Sequence, residues 1–326
     1  MPELPDVDVY IEHLTRRTVG HSLERVRLAS PFLLRTADPP IAAVFGQEVR
    51  RVSRLGKRIV FTFQTATKKD EPLHLVIHLM IAGRFRWKAL GAGVPGKMGL
   101  AAFDFAAAGT TKAGKAAAEK NAGTLLLTEA SSKKRASLHL VRGAAALAAL
   151  APDGLEVLEA TTDAFAERLR SENHTLKRAL TDPHLFSGIG NAYSDEILHH
   201  ACMSPVKLTS RLTDEDITTL HASIREVLTT WTDRLRARSG DFPEKVTAFQ
   251  PEMAVHGKYG TPCPRCGGRV QRIRYAANEM NYCPACQTEG KLLADRSLSR
   301  LMRGDWPKTL EALEAKKERS RSPAVE

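Results

Sequence analysis

Two cysteine pairs, Cys263-Pro-Arg-Cys266 and Cys283-Pro-Ala-Cys286, stand sixteen residues apart near the end of a 326-residue chain. Each pair sets two thiolates on one side of a tetrahedron, and the spacer is long enough to run out and back as a hairpin. The pattern predicts one structural Zn2+ with no open coordination position, stapling a module too small for a core of its own. Between the pairs, Arg269, Arg272 and Arg274 fall on both faces of a strand-like run and predict a grip on phosphates. A different chemistry sits at the other end. Once Met1 is removed, Pro2 offers a secondary amine, and α-amines titrate near 8, so part of it is neutral and nucleophilic at pH 7. Attack on an aldehydic carbon would give an iminium that is cationic without further protonation, an electron sink for eliminating a carbon–oxygen bond. Glu3 beside it could move protons. The third group is Phe186-Ser-Gly-Ile-Gly-Asn191. Gly188 and Gly190 permit a tight turn, and Asn191 is placed to cap a helix from Ala192 whose free amides attract an anion. It is no dinucleotide fingerprint, because Tyr193 takes the third glycine's place and no strand precedes it.

Lys plus Arg number 48 against 37 Asp plus Glu, a formal charge of +11 that makes polyanions the leading partner class. The acidic opening lacks the basic run and apolar region of a secretion leader, and the most apolar run, Leu73 to Gly83, is too short to span a membrane. A cytoplasmic protein with no membrane partner is expected. Clustered cysteines suit metal ligation in a reducing compartment, and Cys202 reads as a small buried residue.

Elements must hold these groups in place. Val7, Ile11 and Leu14 predict a helix over 5–18. From about 22 to 142, short runs such as Arg58–Phe63 and Leu73–Leu79 read as strands of a sandwich or barrel, interrupted by a low-complexity segment, 107–123, expected to be flexible. After Pro152 the pattern is helical, with starts at Thr162-Asp163, within Ser171–Asn173, and at Thr213, where Asp216 completes a capping-box spacing. Leu220, Ile224, Leu228, Trp231 and Leu235 form a core stripe. The fold class expected is multi-domain α+β: a β-sandwich with a flanking N-terminal helix (1–145), a helical domain (152–240), a zinc module (250–303) and a basic, disordered tail (304–326).

Five motifs occur in one order: Met1-Pro-Glu-Leu-Pro5, Arg54-Leu-Gly-Lys57, Gly188-Ile-Gly-Asn191 with Asp195-Glu196, His256-Gly-Lys-Tyr-Gly-Thr-Pro-Cys263, and the four-cysteine finger. From Pro2 to about Met302 the chain resembles the Fpg/Nei family, the formamidopyrimidine-DNA glycosylases and endonuclease VIII enzymes. The resemblance implies a catalytic β-sandwich, a helix-two-turn-helix domain and a zinc-finger hairpin, acting as a monomer on damaged DNA, duplex or single-stranded. It implies Pro2 as Schiff-base nucleophile, Glu3 as proton donor to the opening sugar, and Lys57 as a phosphate-binding catalytic aid. The everted base would be excised and the strand cut by elimination. Asn191 and Lys258 would hold phosphates, with Arg272, Arg274 and Asn278 on the finger, while Met80 or Ile81 would fill the void in the stack. Three departures qualify this. Asn278 stands where the family's finger bears an arginine, and Thr128–Ser137 replaces the usual Asp-Pro-Arg-Arg-Phe-Gly segment. The stretch Gly240 to His256 is shorter than in members that cap 8-oxoguanine, which leans toward broader lesion choice. The alternative is a non-catalytic or lyase-only reader of DNA lesions on the same scaffold.

Overall fold

The apolar stripe of the first fifteen helical residues decides how the chain begins. In the computed structural model, which describes all residues except 66–69, 108–121, 276–277, 295–306, 314 and 316–326, helix α1 spans Leu4–Thr18 and buries Val7, Tyr10 and Leu14 completely. Each such apolar side chain contributes about 1.5–3 kcal/mol. Strands follow: β1 His21–Leu28, β2 Gln47–Leu55, β3 Arg58–Phe63, β4 Leu73–His78, β5 Gly83–Lys88, β6 Gly99–Ala107, β7 Gly123–Glu129 and β8 Ser137–Arg142. They form an antiparallel sheet of order β5-β7-β6-β1-β2-β3-β4-β8. β1 meets β6 along its length but meets β2 only at Ser22↔Glu48 and Leu23↔Gln47, so the sheet divides at that seam into two halves. Their inner faces share one core, where Phe61 of β3 stacks on Phe105 of β6 with ring centroids 5.8 Å apart. This is the sandwich that strand-like alternation predicts. Most of the low-complexity segment, and most of the tail, lie outside the described residues.

Short helices α2 (Gly143–Ala148), α3 (Thr162–Arg170), α4 (Leu176–Thr181) and α5 (Asn191–His200) precede the long α6 (Asp214–Arg238). The expected capping box at α6 is present: Thr213 N donates to Asp216 Oδ2 at 3.0 Å and Asp216 N to Thr213 Oγ1 at 3.1 Å. The start expected within Ser171–Asn173 falls later, since Thr175 is the N-cap of α4. Leu220, Ile224, Leu228 and Trp231 of α6 are buried and Leu235 is half-buried. Strands β9 (Gln271–Tyr275) and β10 (Asn278–Tyr282) make the hairpin between the cysteine pairs, and α7 (Pro284–Gln287) carries the last of them.

The chain packs as two compact units, Met1–Asp153 with Thr229–Ala248, and Gly154–Leu228 with Phe249–Glu326. The zinc module therefore shares a unit with α3 to α5. No described helix is long and apolar enough to cross a membrane.

Candidate functional site

In the first unit, the chemistry gathers around the start of α1. Glu3 is the N-cap residue, its extended backbone donating from N to Asp6 Oδ2 at 2.9 Å, and both carboxyl groups are buried, each 2% exposed. Pro2 is buried as well. In the chain that still carries Met1, burial lowers the pKa of the Met1 amine, with Glu3 and Asp6 opposing and Arg84 and Lys57 acting in the same sense. Lys57 arrives on a two-residue turn in which Leu55 pairs with Arg58 and Gly56 takes φ +61°, a left-handed conformation that glycine adopts without cost. Arg54 fastens that turn to α1, donating from Nε to Asp8 Oδ1 at 3.0 Å and from Nη1 to the Gly56 carbonyl at 3.3 Å. Burial lowers the Lys57 pKa and Glu3 partly restores it. Pro2, Glu3 and Lys57 are thus brought into one neighbourhood of partly desolvated charge, the setting in which an amine becomes a nucleophile near neutral pH. Sequence reasoning passed over Asp6, whose carboxyl burial pushes up to about 7.

The turn between β4 and β5 carries the two candidate void-fillers. Met80 has φ +52°, rare for a bulky residue, and is half-buried, whereas Ile81 is 56% exposed. Arg84 Nη1 donates to the carbonyls of Ile81 at 3.2 Å and Gly83 at 2.6 Å, bracing the turn from beneath. Of the pair, the side chain presented to solvent is Ile81. His78, which the sequence did not single out, precedes this turn; burial and the neighbouring Arg58 and Lys57 push its pKa down to about 4. Glu129, paired with Gly83, accepts from Arg135 N at 2.9 Å, Ala136 N at 3.1 Å and Ser131 Oγ at 2.9 Å. The segment replacing the family's Arg/Phe loop is therefore a turn built on a buried carboxylate, and it presents Lys133 and Arg135 rather than an aromatic ring.

In the second unit, the glycine turn leads into α5 with Gly188 at φ +82°. Gly190, not Asn191, is the N-cap, and a glycine has no side chain with which to cap the helix. This corrects the expected role of Asn191: its Nδ2 instead donates to the Glu279 carbonyl of β10 at 2.8 Å. The reason is the hairpin, whose edge offers a carbonyl that the local sequence could not announce. Behind it, Asp195 is 1% exposed and receives Lys177 Nζ at 2.5 Å, His256 Nδ1 at 2.8 Å, and Asn281 N and Nδ2 at 3.1 and 3.2 Å. Lys177 also donates to the Asn191 carbonyl at 2.6 Å and Ser194 Oγ at 2.8 Å. Glu196 accepts from the backbone N–H groups of Ala254, Val255 and His256 at 2.7, 2.9 and 2.8 Å. The Asp-Glu pair after the glycine turn thus positions the finger rather than reacting. Lys258 Nζ rests on the Pro251 carbonyl at 2.6 Å.

Arg272 and Arg274 share the outward face of β9, opposite the buried Gln271 and Ile273. Arg269 lies before the strand, its Nη1 on the Gly260 carbonyl at 3.3 Å, so the arginines do not occupy both strand faces as expected. The Arg272 guanidinium covers the Tyr259 ring at 4.4 Å and sits 3.7 Å from Glu279. Asn278 pairs through its backbone with Tyr275 beside the hairpin tip. The four sulfurs of Cys263, Cys266, Cys283 and Cys286 lie within 4.8 Å of one another. The Cys263–Cys286 and Cys266–Cys283 separations are 3.9 and 3.4 Å, against an edge of about 3.8 Å for a tetrahedron with 2.3 Å zinc–sulfur bonds. The set fits a structural Zn2+. Cys202 is exposed, not buried: it takes φ +54° after the C-terminus of α5, and its Sγ accepts a hydrogen bond from Arg265.

A β-sandwich entered through an N-terminal helix, a helical region around a glycine turn, and a hairpin closed by a four-cysteine set that fits zinc make up the described fold. Residues 1–140 match the formamidopyrimidine-DNA glycosylase N-terminal domain, 150–234 the H2TH domain of those enzymes, and 260–288 the zinc finger found in FPG and IleRS. The chain belongs to the formamidopyrimidine-DNA glycosylase (Fpg) family. It is 29% identical to the formamidopyrimidine-DNA glycosylase of Exiguobacterium sibiricum, over 88% of this chain and 99% of that one. It is 40% identical to an uncharacterised formamidopyrimidine-DNA glycosylase-like protein of Mycobacterium tuberculosis, over 48% of this chain and 95% of that one. The Lactococcus lactis Fpg in complex with DNA containing an oxidised pyrimidine superposes with a TM-score of 0.73 at 27% identity, over 88% of this chain and all of that one. The same enzyme with abasic-site DNA gives 0.72 at 27% identity, over 88% and 99% of the two chains.

Proposed function

We propose that this chain is a base-excision DNA glycosylase with abasic-site lyase activity, working through a Schiff base on Pro2 after removal of Met1. The observation that carries this reading is that Pro2 and Glu3 are buried at the start of α1, with Glu3 acting electrostatically on a desolvated Lys57, because DNA binding alone has no use for that arrangement. The Pro2 nitrogen attacks C1′ of an everted nucleotide, the glycosidic bond breaks, and the base leaves with a proton. Glu3 donates a proton to the ring oxygen as the sugar opens, leaving a C1′ iminium. Loss of a proton from C2′ to solvent turns the iminium into an enamine, whose electron pair then forms the C2′=C3′ double bond and restores the iminium as the C3′–O bond breaks and the phosphate departs with its bonding pair. Lys57 holds the neighbouring phosphate. Asn191, Lys258, Arg272 and Arg274 contact other phosphates, and Ile81 enters the stack where the nucleotide has left it. The DNA ligands of the Lactococcus relatives, an oxidised pyrimidine and an abasic site, support damaged DNA as the substrate class.

The test is a panel of duplex and single-stranded oligonucleotides bearing an oxidised purine, an oxidised pyrimidine or an abasic site, with base release scored separately from strand scission. Scission at the abasic site and release of an oxidised base, both lost in Pro2→Ala, are expected. Tight binding without product from any substrate would establish the non-catalytic reader instead.

A further inference from the structure

Helix α5 is held by the zinc module at both ends. At its start, Asn191 and Asp195 bond to Glu279 and Asn281 of β10. At its end, Arg265, inside the first cysteine pair, donates from Nη1 to the His199 carbonyl at 2.9 Å and from Nη2 to the His200 carbonyl at 3.1 Å. A further link reaches the cysteine set itself. His199 Nε2 lies 3.2 Å from Cys263 Sγ, with His199 5% exposed and Cys263 2% exposed.

We propose that His199 is a positioning residue for the zinc: its Nε2–H donates to the Cys263 thiolate, so that the metal and the helix presenting Asn191 are one mechanical unit. A cysteine bound to zinc carries no proton, so the proton in this contact must sit on the imidazole. An N–H···S bond draws electron density from the sulfur and fixes its direction toward the metal, and groups of this kind typically change metal affinity 10- to 100-fold. The buried setting removes competing water, which strengthens the bond. Asp195 and His199 are one helical turn apart, so displacement of His199 is transmitted along α5 to the buried network beneath Asn191.

The experiment uses the full zinc-loaded chain, with His199→Phe to keep the ring and remove the donor, and His199→Gln to keep an N–H. Zinc affinity is read by chelator competition, and thiolate character by the charge-transfer band of the cobalt-substituted protein. His199→Phe is expected to weaken zinc binding 10- to 100-fold and to move the cobalt band to longer wavelength, as a more electron-rich sulfur requires, while His199→Gln stays within about threefold of the native chain. Zinc affinity and cobalt band unchanged in His199→Phe, or equal losses in both variants, would overturn the assignment and leave His199 as packing. If circular dichroism shows His199→Phe unfolded, His199→Gln decides alone, a loss of tenfold or more counting against the hydrogen bond. No DNA enters these measurements, so their outcome is independent of the proposed glycosylase chemistry.

Discussion

Replacing Asp195 by Asn should cost the second unit about 3 kcal/mol. The carboxylate is 1% exposed and ends four hydrogen bonds, from Lys177 Nζ at 2.5 Å, His256 Nδ1 at 2.8 Å, and Asn281 N and Nδ2. An asparagine keeps one acceptor oxygen but turns an N–H2 toward Lys177 or His256, and it leaves the largely buried Lys177 without a counter-charge. Breaking a buried pair by removing one partner costs roughly 3–5 kcal/mol. Lys177 keeps the Asn191 carbonyl and Ser194 Oγ as acceptors, which places the value at the low end. At about 1.4 kcal/mol per tenfold, the opening equilibrium rises on the order of a hundredfold. Two-unit chains need not unfold in one step, so the assay is hydrogen exchange resolved by peptide on the zinc-loaded protein. Amides of α5 and of β9–β10 should exchange about a hundredfold faster, while those of β3 and β4 keep their protection. If the loss comes from the unpaired Lys177 charge, Lys177→Met with Asp195→Asn should recover much of it. A change below about 1 kcal/mol in Asp195→Asn, or a double variant no better than the single one, would refute it.

Gly123→Ala should destabilise the sandwich by about 1–3 kcal/mol, because a Cβ there would lie 2.6 Å from the Trp87 ring, which itself stacks on Phe105; a melt should show the midpoint lowered by several degrees. Single-turnover Schiff-base formation should rise with pH and level off with a midpoint below the ordinary α-amine value near 8, since Pro2 is buried and burial favours the neutral, nucleophilic amine. A midpoint at or above 8 in a trapping series from pH 5 to 9 would contradict that environment. Chelation of zinc should abolish gel-shift binding of DNA while circular dichroism retains the β-sheet contribution of the first unit, because the four-cysteine set lies wholly in the second.

What could be read from the sequence was what local spacing determines. The helix of Val7, Ile11 and Leu14, the Thr213–Asp216 cap and the four-cysteine cluster each depend on residues a few positions apart, or on a pattern whose spacing is itself the constraint. The contacts that position α5 were not legible, because they join residues far apart in the chain: Asn191 to Glu279, Asp195 to His256, His199 to Cys263. Asn191 therefore looked like a cap when it is a brace, and Lys177 gave no signal at all. Cys202 departs from its expected burial for a similar reason. Its small side chain suited a core, but a left-handed backbone and a bond from Arg265 hold it at the surface.

In the proposed chemistry the nucleophile is Pro2. The N-terminally processed protein, incubated with an abasic-site oligonucleotide and borohydride, should yield a reduced covalent adduct that peptide mass spectrometry locates on Pro2, and Pro2→Ala should lose that adduct at the terminus while still binding the DNA. An adduct on a lysine such as Lys57, or none despite tight binding, would rule out Pro2 as the nucleophile.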